Sequence, residues 1–364
     1  MIKKINVLHI TVRADIGGGP EHVFRLITGN YKNVNHFVAA PNNEPYFGKF
    51  KDVIGDANCI EIPFRKFEIN VLFKLFRFVR NNNISIIHSH GKGAGIYGRL
   101  LALLTGRRAI HTLHGFHIGD YNNIQKYLYI SLERVLSIFT YKIIAVSEGE
   151  KNKIVKSGFC NQKKIVVIPN GVIIPKEKVR LTDFSQKPKK IISFSRFNYQ
   201  KNTEMIVDIC KLLKNLSIVK NFQFLIYGDG EDFSKIRKLI SEENLDKIIK
   251  LAGPDPDARN KLVDGFCYIS TSRWEGLPIS LLEAMAVGLP VIATNVVGNR
   301  DIIENYKDGF LFDSDNINEA ASILSELADS EDLWKKISFG AIKKVEENFS
   351  INKMITKIEE LYLS

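Results

Sequence analysis

Two glutamates with seven residues between them, Glu275 and Glu283, stand in the stretch Ser272-Arg273-Trp274-Glu275-Gly276-Leu277-Pro278, which runs on to Glu283-Ala284-Met285-Ala286. Pro278 and Gly288 frame a short helix, about 278–287, since proline is tolerated in a first helical turn and glycine follows the last. Glu275 then lies in the loop before that helix and Glu283 inside it. The backbone N–H groups of Gly276 and Leu277 fall at the positive end of the helix, where an anion is favoured. Carboxylates accept hydrogen bonds from sugar hydroxyls, and helix N–H groups hold phosphate. A nucleotide sugar carries hydroxyls on its hexose and its ribose with a diphosphate between them, so this spacing suits one. A lone pair of glutamates at this spacing is more often two solvated charges; the Gly-Leu-Pro turn between them tips the balance.

Other groups invite chemistry. Gly17 and Gly18, in Ile16-Gly17-Gly18-Gly19-Pro20-Glu21, follow an apolar run and let the backbone approach a ligand before a helix begins. The pattern is not G-x-G-x-x-G and no acidic residue ends the second strand, which argues against a nicotinamide dinucleotide. Histidines gather at His88-Ser89-His90-Gly91 and His111-Thr112-Leu113-His114-Gly115-Phe116-His117. No nearby carboxylate completes a metal trio there, and Asp255-Pro256-Asp257 reads as a loop, so no metal is expected. His88 and His111, at strand ends, read as structural.

The elements that must position these residues alternate along the chain. Strands are expected at 5–10, 35–40, 84–88, 109–112 and 142–146, with helices near 20–30, 67–81, 93–105 and 123–139 between them. The pattern stops at a charged, proline-marked stretch, 175–188, and restarts with strands at 191–194, 222–227, 248–251, 265–269 and 290–293. Short apolar runs separated by helices indicate parallel sheets covered on both faces. The fold class is therefore α/β, two Rossmann-like doubly wound domains facing across a cleft. The boundary puts residues 1–178 in the first and 179–364 in the second, with the last helix, about 350–364, a candidate to pack back on the first. Ligands of such sheets bind beyond the carboxyl ends of the strands, where these motifs fall.

The segment from Ser272 to Pro290 resembles the signature of the retaining glycosyltransferases of GT-B fold (group 1, family 4) that build bacterial polysaccharides and glycolipids. The likeness extends to Ile168-Pro169-Asn170-Gly171-Val172, Ser195-Arg196-Phe197 with Lys201-Asn202, Tyr227-Gly228-Asp229-Gly230 and Asp308-Gly309-Phe310-Leu311. Arg196 follows a strand and Lys201 lies five residues on, at an expected helix start; the resemblance implies that these two grip the donor diphosphate, Glu283 the ribose and Glu275 the transferred hexose. It implies that Gly17 and Gly18 close on the donor phosphate or the acceptor. It places the base against backbone near Gly228, Gly230 and Gly253, uridine first and guanosine second. His114 matches the family's Thr-x-His-Gly turn and would face the reacting sugar, with His90 and His117 as acceptor-side candidates. No cofactor is implied, and the acceptor is a saccharide or a polyprenyl-linked one. Without a plausible protein nucleophile, retention implies front-face displacement. A non-hydrolysing sugar-nucleotide epimerase of the same architecture is the alternative, and a short glycogen-synthase-like enzyme also fits this fold.

Charge is uneven. Residues 1–183 carry 27 Lys+Arg against 13 Asp+Glu, and residues 184–364 carry 24 against 27, so the net +11 belongs to the first half. Such a surplus suits an anionic membrane surface, and a helix over 66–80 with Lys74, Arg77 and Arg80 on one face is the candidate contact. Its apolar side reads better as packed on the sheet. No nucleic-acid-binding signature accompanies the charge. No signal peptide and no apolar run of about 18 residues is evident. The four cysteines are scattered. A cytoplasmic protein, peripheral on the inner membrane face, is the expectation.

Overall fold

A computed structural model describes residues 4–119, 121–179, 184–185 and 187–364. It divides into two compact units, Met1–Gly171 with Ile351–Ser364, and Val172–Ser350. The division thus precedes the proline-marked stretch at 175–188, of which residues 180–183 and 186 lie outside the described residues.

In the first unit the order is β1 (Ile5–Thr11), α1 (Gly18–Ile27), β2 (Val34–Ala40), α2 (Tyr46–Ile54), β3 (Cys59–Glu61), α3 (Ile69–Asn81), β4 (Ile86–His90), α4 (Lys92–Thr105), β5 (Arg108–Thr112), α5 (Asn123–Ile138), β6 (Lys142–Ala145), α6 (Glu148–Ser157) and β7 (Ile165–Val167). The second unit holds β8 (Lys189–Phe194), α7 (Glu204–Asn215), β9 (Phe222–Tyr227), α8 (Phe233–Glu242), β10 (Ile249–Gly253), β11 (Cys267–Ser270), α9 (Ile279–Ala286), β12 (Val291–Thr294), α10 (Val297–Arg300), β13 (Phe310–Phe312), α11 (Ile317–Asp329) and α12 (Glu331–Asn348). The last helix, α13 (Ile351–Leu363), returns to the first unit.

Both sheets are parallel and wound alike. The strand orders are β3-β2-β1-β4-β5-β6-β7 and β10-β9-β8-β11-β12-β13. In each, the chain leaves the first strand in one direction for two strands, then returns to build on its other edge. The strand order therefore reverses at β1/β4 and at β8/β11, the positions where doubly wound sheets bind ligands. Strands such as Ile191–Ile192 and Val291–Ala293 are buried, and their unbroken apolar runs are what a sheet covered on both faces requires.

Helices close these faces by periodicity. In α3, Val71, Leu72, Leu75 and Val79 are buried and pack beside β1, β2 and β4 residues. In α13, Met354, Ile355, Ile358, Leu361 and Tyr362 join Val7, Leu26, Ile86 and Ile110 in one apolar cluster.

Several boundaries differ from those read in the sequence. β4 begins at Ile86 rather than 84, and its pairing continues to His90, which faces Thr11 of β1 and Thr112 of β5. His90 is therefore inside the strand, not after it, while His88 and His111 lie in β4 and β5 as expected. The basic helix starts at Ile69, leaving Lys66 and Phe67 in the loop. The larger exposed apolar stripe lies elsewhere, on α5: Ile124, Tyr127, Leu128, Leu132, Val135 and Ile138.

The inner side of α5 is anchored by charge. Arg99 of α4 donates to both carboxylate oxygens of Glu133, at 2.6 and 3.1 Å, and both side chains are buried. Removing one partner of a buried pair strands the other, at about 3–5 kcal/mol. Arg99→Met should therefore destabilise the first unit by that order in chemical denaturation followed by circular dichroism; an unchanged midpoint would show that the pair contributes nothing.

Candidate active site

In the second unit the loops after β8 and β11 are stitched together. The Thr271 hydroxyl lies 3.1 and 3.0 Å from the carbonyls of Lys201 and Asn202, to which it can donate, and the Arg273 N–H donates to the Gln200 carbonyl at 2.8 Å. Gln200 Nε2 returns a bond to the Trp274 carbonyl at 3.0 Å. These contacts bring Lys201 and Glu275, 74 positions apart in sequence, into an ion pair of 2.6 Å. The Ser272 hydroxyl donates to the same Glu275 oxygen at 2.7 Å. Glu275 is only 9 % exposed and Lys201 23 %, so the pair sits in a partly desolvated place where charge interacts more strongly than in water.

Lys201 does not open a helix as expected. Asn202 takes a left-handed backbone (φ 49°) and α7 starts at Glu204, because a right-handed helix does not accommodate that conformation. Arg196 lies two residues past the end of β8 and is half-buried. Glu283 is the fifth residue of α9, with Arg259 Nη1 4.0 Å from its carboxylate. Pro278 is the residue that precedes the helix rather than part of its first turn. Gly276 and Leu277 are buried ahead of it, and the turn is held close by α10: a Cβ on Gly298 would lie 2.5 Å from the Gly276 carbonyl oxygen.

The glycines after β9 have an internal reason. A Cβ on Gly228 would lie 1.9 Å from the Ser195 oxygen, and one on Gly230 would lie 2.4 Å from the Phe197 oxygen. The loop carrying Arg196 thus rests directly on the β9 loop. Gly253 has φ +76° and its carbonyl accepts the Gly228 N–H at 2.8 Å.

In the first unit, Gly17 caps α1, and Cβ atoms placed on Gly18 or Gly19 would meet nothing within 4 Å. The protein itself does not crowd these two positions. Next to this turn lies a core of histidines that reaches beyond the two sequence clusters. His9 Nε2 and His36 Nδ1 are 3.0 Å apart, His9 Nδ1 and His90 Nε2 3.1 Å, and His90 Nδ1 and His114 Nε2 3.3 Å. The ring of His22, from α1, stands edge-on to His114 with centroids 4.6 Å apart. His88 bonds to the Tyr362 hydroxyl at 2.6 Å and to Thr112 at 2.8 Å, and His111 bonds to Ser89 at 2.9 Å. His117 lies further along, its carbonyl accepting from Lys92 Nζ at 3.0 Å.

Burial pushes the imidazoles of His9, His22, His88, His90 and His111 well below their ordinary range, and those of His36 and His114 down to about 4. They are neutral at physiological pH, with one donor and one acceptor nitrogen each.

His114 holds a left-handed backbone (φ 58°), a conformation that non-glycine residues adopt at some cost and that clusters at functional sites. Glu150 holds the turn there. One of its oxygens accepts the Gly115 N–H at 2.6 Å and the other the Val146 N–H at 2.7 Å, while burial raises its carboxyl above the usual range. Sequence reading missed Glu150, although Ser147-x-x-Glu150 has the spacing of a helix-capping box. It also missed His9, His22 and His36, which belong to no motif; only the polar interruption of an apolar strand marked His9.

Residues 16–174 match the family model described as Glycosyltransferase Family 4, and residues 176–344 match Glycosyl transferases group 1. The chain is 29 % identical over 309 residues to an Escherichia coli UDP-Gal:alpha-D-GlcNAc-diphosphoundecaprenol alpha-1,3-galactosyltransferase, covering 81 % of this chain and 79 % of that enzyme. It is 24 % identical to the capsular polysaccharide biosynthesis glycosyltransferase CapM of Staphylococcus aureus, over 81 % of this chain and 80 % of the relative. Among solved structures, Anabaena HepE in complex with UDP and glucose superposes with a TM-score of 0.85, covering 99 % of this chain and 100 % of that one at 16 % identity. The two family models follow one another with the same division as the two sheets, and the chain belongs to the group 1, family 4 glycosyltransferases of GT-B fold.

Proposed function

We propose that this glycosyltransferase moves a hexose or N-acetylhexosamine, with retention, from a uridine diphosphate sugar to a lipid-linked saccharide in cell-surface polysaccharide synthesis. The observation that carries the reading is the Lys201–Glu275–Ser272 group at the carboxyl ends of β8 and β11. Lys201 and Arg196 neutralise the charge that builds on the departing diphosphate, a task that fixed, partly desolvated cations perform well. Before a donor binds, Glu275 satisfies Lys201; a diphosphate takes over that cation and frees the carboxylate for hexose hydroxyls. Glu283, deeper in α9, accepts from the ribose hydroxyls. The C1–O bond to the β-phosphate breaks, the acceptor oxygen bonds C1 from the same face, and its proton passes to the phosphate oxygen just released. His114, neutral, hydrogen-bonds the hexose. No metal takes part in this scheme. Similarity to an enzyme of UDP-Gal and a diphosphoundecaprenol-linked acceptor, and to a protein whose structure holds UDP, supports it.

The reading includes work at the inner membrane face. Among the described residues no helix is long and apolar enough to cross a bilayer. The exposed stripe of α5, with Arg134 on the same helix and Arg107 and Arg108 beside Ile138 at its end, offers an apolar face with a basic rim. That is the composition of a helix lying in an anionic interface. We take α5 rather than α3 as the contact because its exposed apolar stripe is the larger.

Glu283→Ala should weaken UDP-sugar binding about 10- to 100-fold in a thermal-shift titration, since hydrogen bonds to a charged group contribute about 1.5–3 kcal/mol. Lys201→Ala should lower kcat about 10²- to 10³-fold. Unchanged kinetics in both, a sugar trapped covalently on Glu275, or turnover of donor with no acceptor present would each overturn the scheme, the last in favour of an epimerase. Wild-type protein should sediment with anionic vesicles at low salt and less at high salt, and Leu128→Glu with Val135→Glu should abolish this. Vesicle binding that survives the double change would remove α5 as the contact.

A further inference from the structure

The histidine core holds more nitrogen than hydrogen bonding uses. Within one cluster, His22, His90 and His114 each offer a ring nitrogen, all within 4.8 Å of one another. His22 is 2 % exposed, and neither of its ring nitrogens has a hydrogen-bond partner among the described residues. Asn170 comes close enough for a weak side-chain hydrogen bond that acts on its titration, but no bond of ordinary geometry reaches either ring nitrogen. A buried polar group without a partner is destabilising, so His22 is placed at a loss unless something else binds it.

We propose that His22, His90 and His114 form a binding site for a divalent transition-metal ion of the Zn²⁺ class. The spacing fits. Ligand nitrogens at about 2.0–2.1 Å from a tetrahedral ion lie about 3.3–3.4 Å apart, and His90 Nδ1 and His114 Nε2 are 3.3 Å apart. That separation is long for a hydrogen bond, whose usual limit is about 3.2 Å.

The partners behind His90 are arranged as outer ligands are. With Nδ1 given to the metal, His90 carries its proton on Nε2 and donates to His9 Nδ1; His9 then donates from Nε2 to His36 Nδ1. Both donations point away from the ion, which fixes the tautomer of His90 and strengthens it as a ligand. A second trio, His9, His88 and His90, also lies within bonding reach. There both nitrogens of His88 are committed to Tyr362 and Thr112, and both of His9 to His90 and His36. Only the trio with His22 has nitrogen to spare.

All-imidazole ligation selects Zn²⁺, Co²⁺, Ni²⁺ or Cu²⁺ over Mg²⁺ and Ca²⁺, which need oxygen. Three neutral ligands leave the ion its full charge and one open position for an anionic oxygen. Bound metal would occupy the His114 nitrogen and so inhibit transfer, a consequence that rests on the role proposed above for His114; binding itself does not.

Titration of the full-length protein with Co²⁺ should show one equivalent bound with the strong visible bands of a tetrahedral site, displaced by Zn²⁺. His22→Leu and His114→Asn should each weaken binding more than tenfold, while His117→Asn leaves it unchanged. Asparagine tolerates the left-handed backbone at 114, so that variant stands even where His22→Leu fails to fold. Absence of stoichiometric Co²⁺, or His114→Asn binding as tightly as wild type, overturns the site. Zn²⁺ should also suppress transfer reversibly, with activity restored by a chelator; tight binding without inhibition would uphold the site and remove His114 from the reaction.

Discussion

A parallel strand can be reached only by a crossover, and when successive crossovers leave a first strand in opposite directions, the loops beyond it diverge and leave its carboxyl end uncovered. Both sheets of this protein obey that constraint in the same way, with β1 and β8 as the strands from which the chain departs twice. The chemistry follows from it. The Gly17–Gly18 turn and His90 come from the two strands at one reversal, with His114 one strand beyond; Arg196 and the Glu275 loop come from the two strands at the other.

The two uncovered ends handle charge differently. In the second unit a lysine, a serine and a glutamate satisfy one another within 2.7 Å, a closed set that an incoming diphosphate can open because it outbids a single carboxylate for the cation. In the first unit burial keeps the imidazoles neutral, so recognition there depends on hydrogen-bond direction or on coordination, not on net charge. The basic excess of the first half stays outside this core, on surfaces such as the rim of α5. Electrostatic attraction and site chemistry are thus separated within the same unit.

Much of the fold was legible in the sequence, because buried parallel strands leave unbroken apolar runs and the helices between them keep a 3.6-residue period. The α/β class, the alternation and the position of the Glu275–Glu283 segment could all be read from local pattern. Boundaries were less so: β4 extends to His90 only because β1 and β5 on either side continue its ladder, a fact no local window contains. Lys201 looked like a helix start, yet the left-handed Asn202 delays the helix to Glu204.

Residue types and short spacings fixed which groups were available: the two glutamates, the Arg196 and Lys201 cations, the glycine turn and the two histidine clusters. Their partners were a matter of tertiary structure. Lys201 meets Glu275 across 74 positions, Arg99 meets Glu133 across 34, and His9, His22 and His36 join His90 and His114 from separate elements. The physical reason is that hydrogen bonds and ion pairs act over about 3 Å of space, whereas sequence pattern records only the period of the element to which a residue belongs. Which strands become neighbours, and so which side chains share a desolvated space, is decided when the crossovers pack.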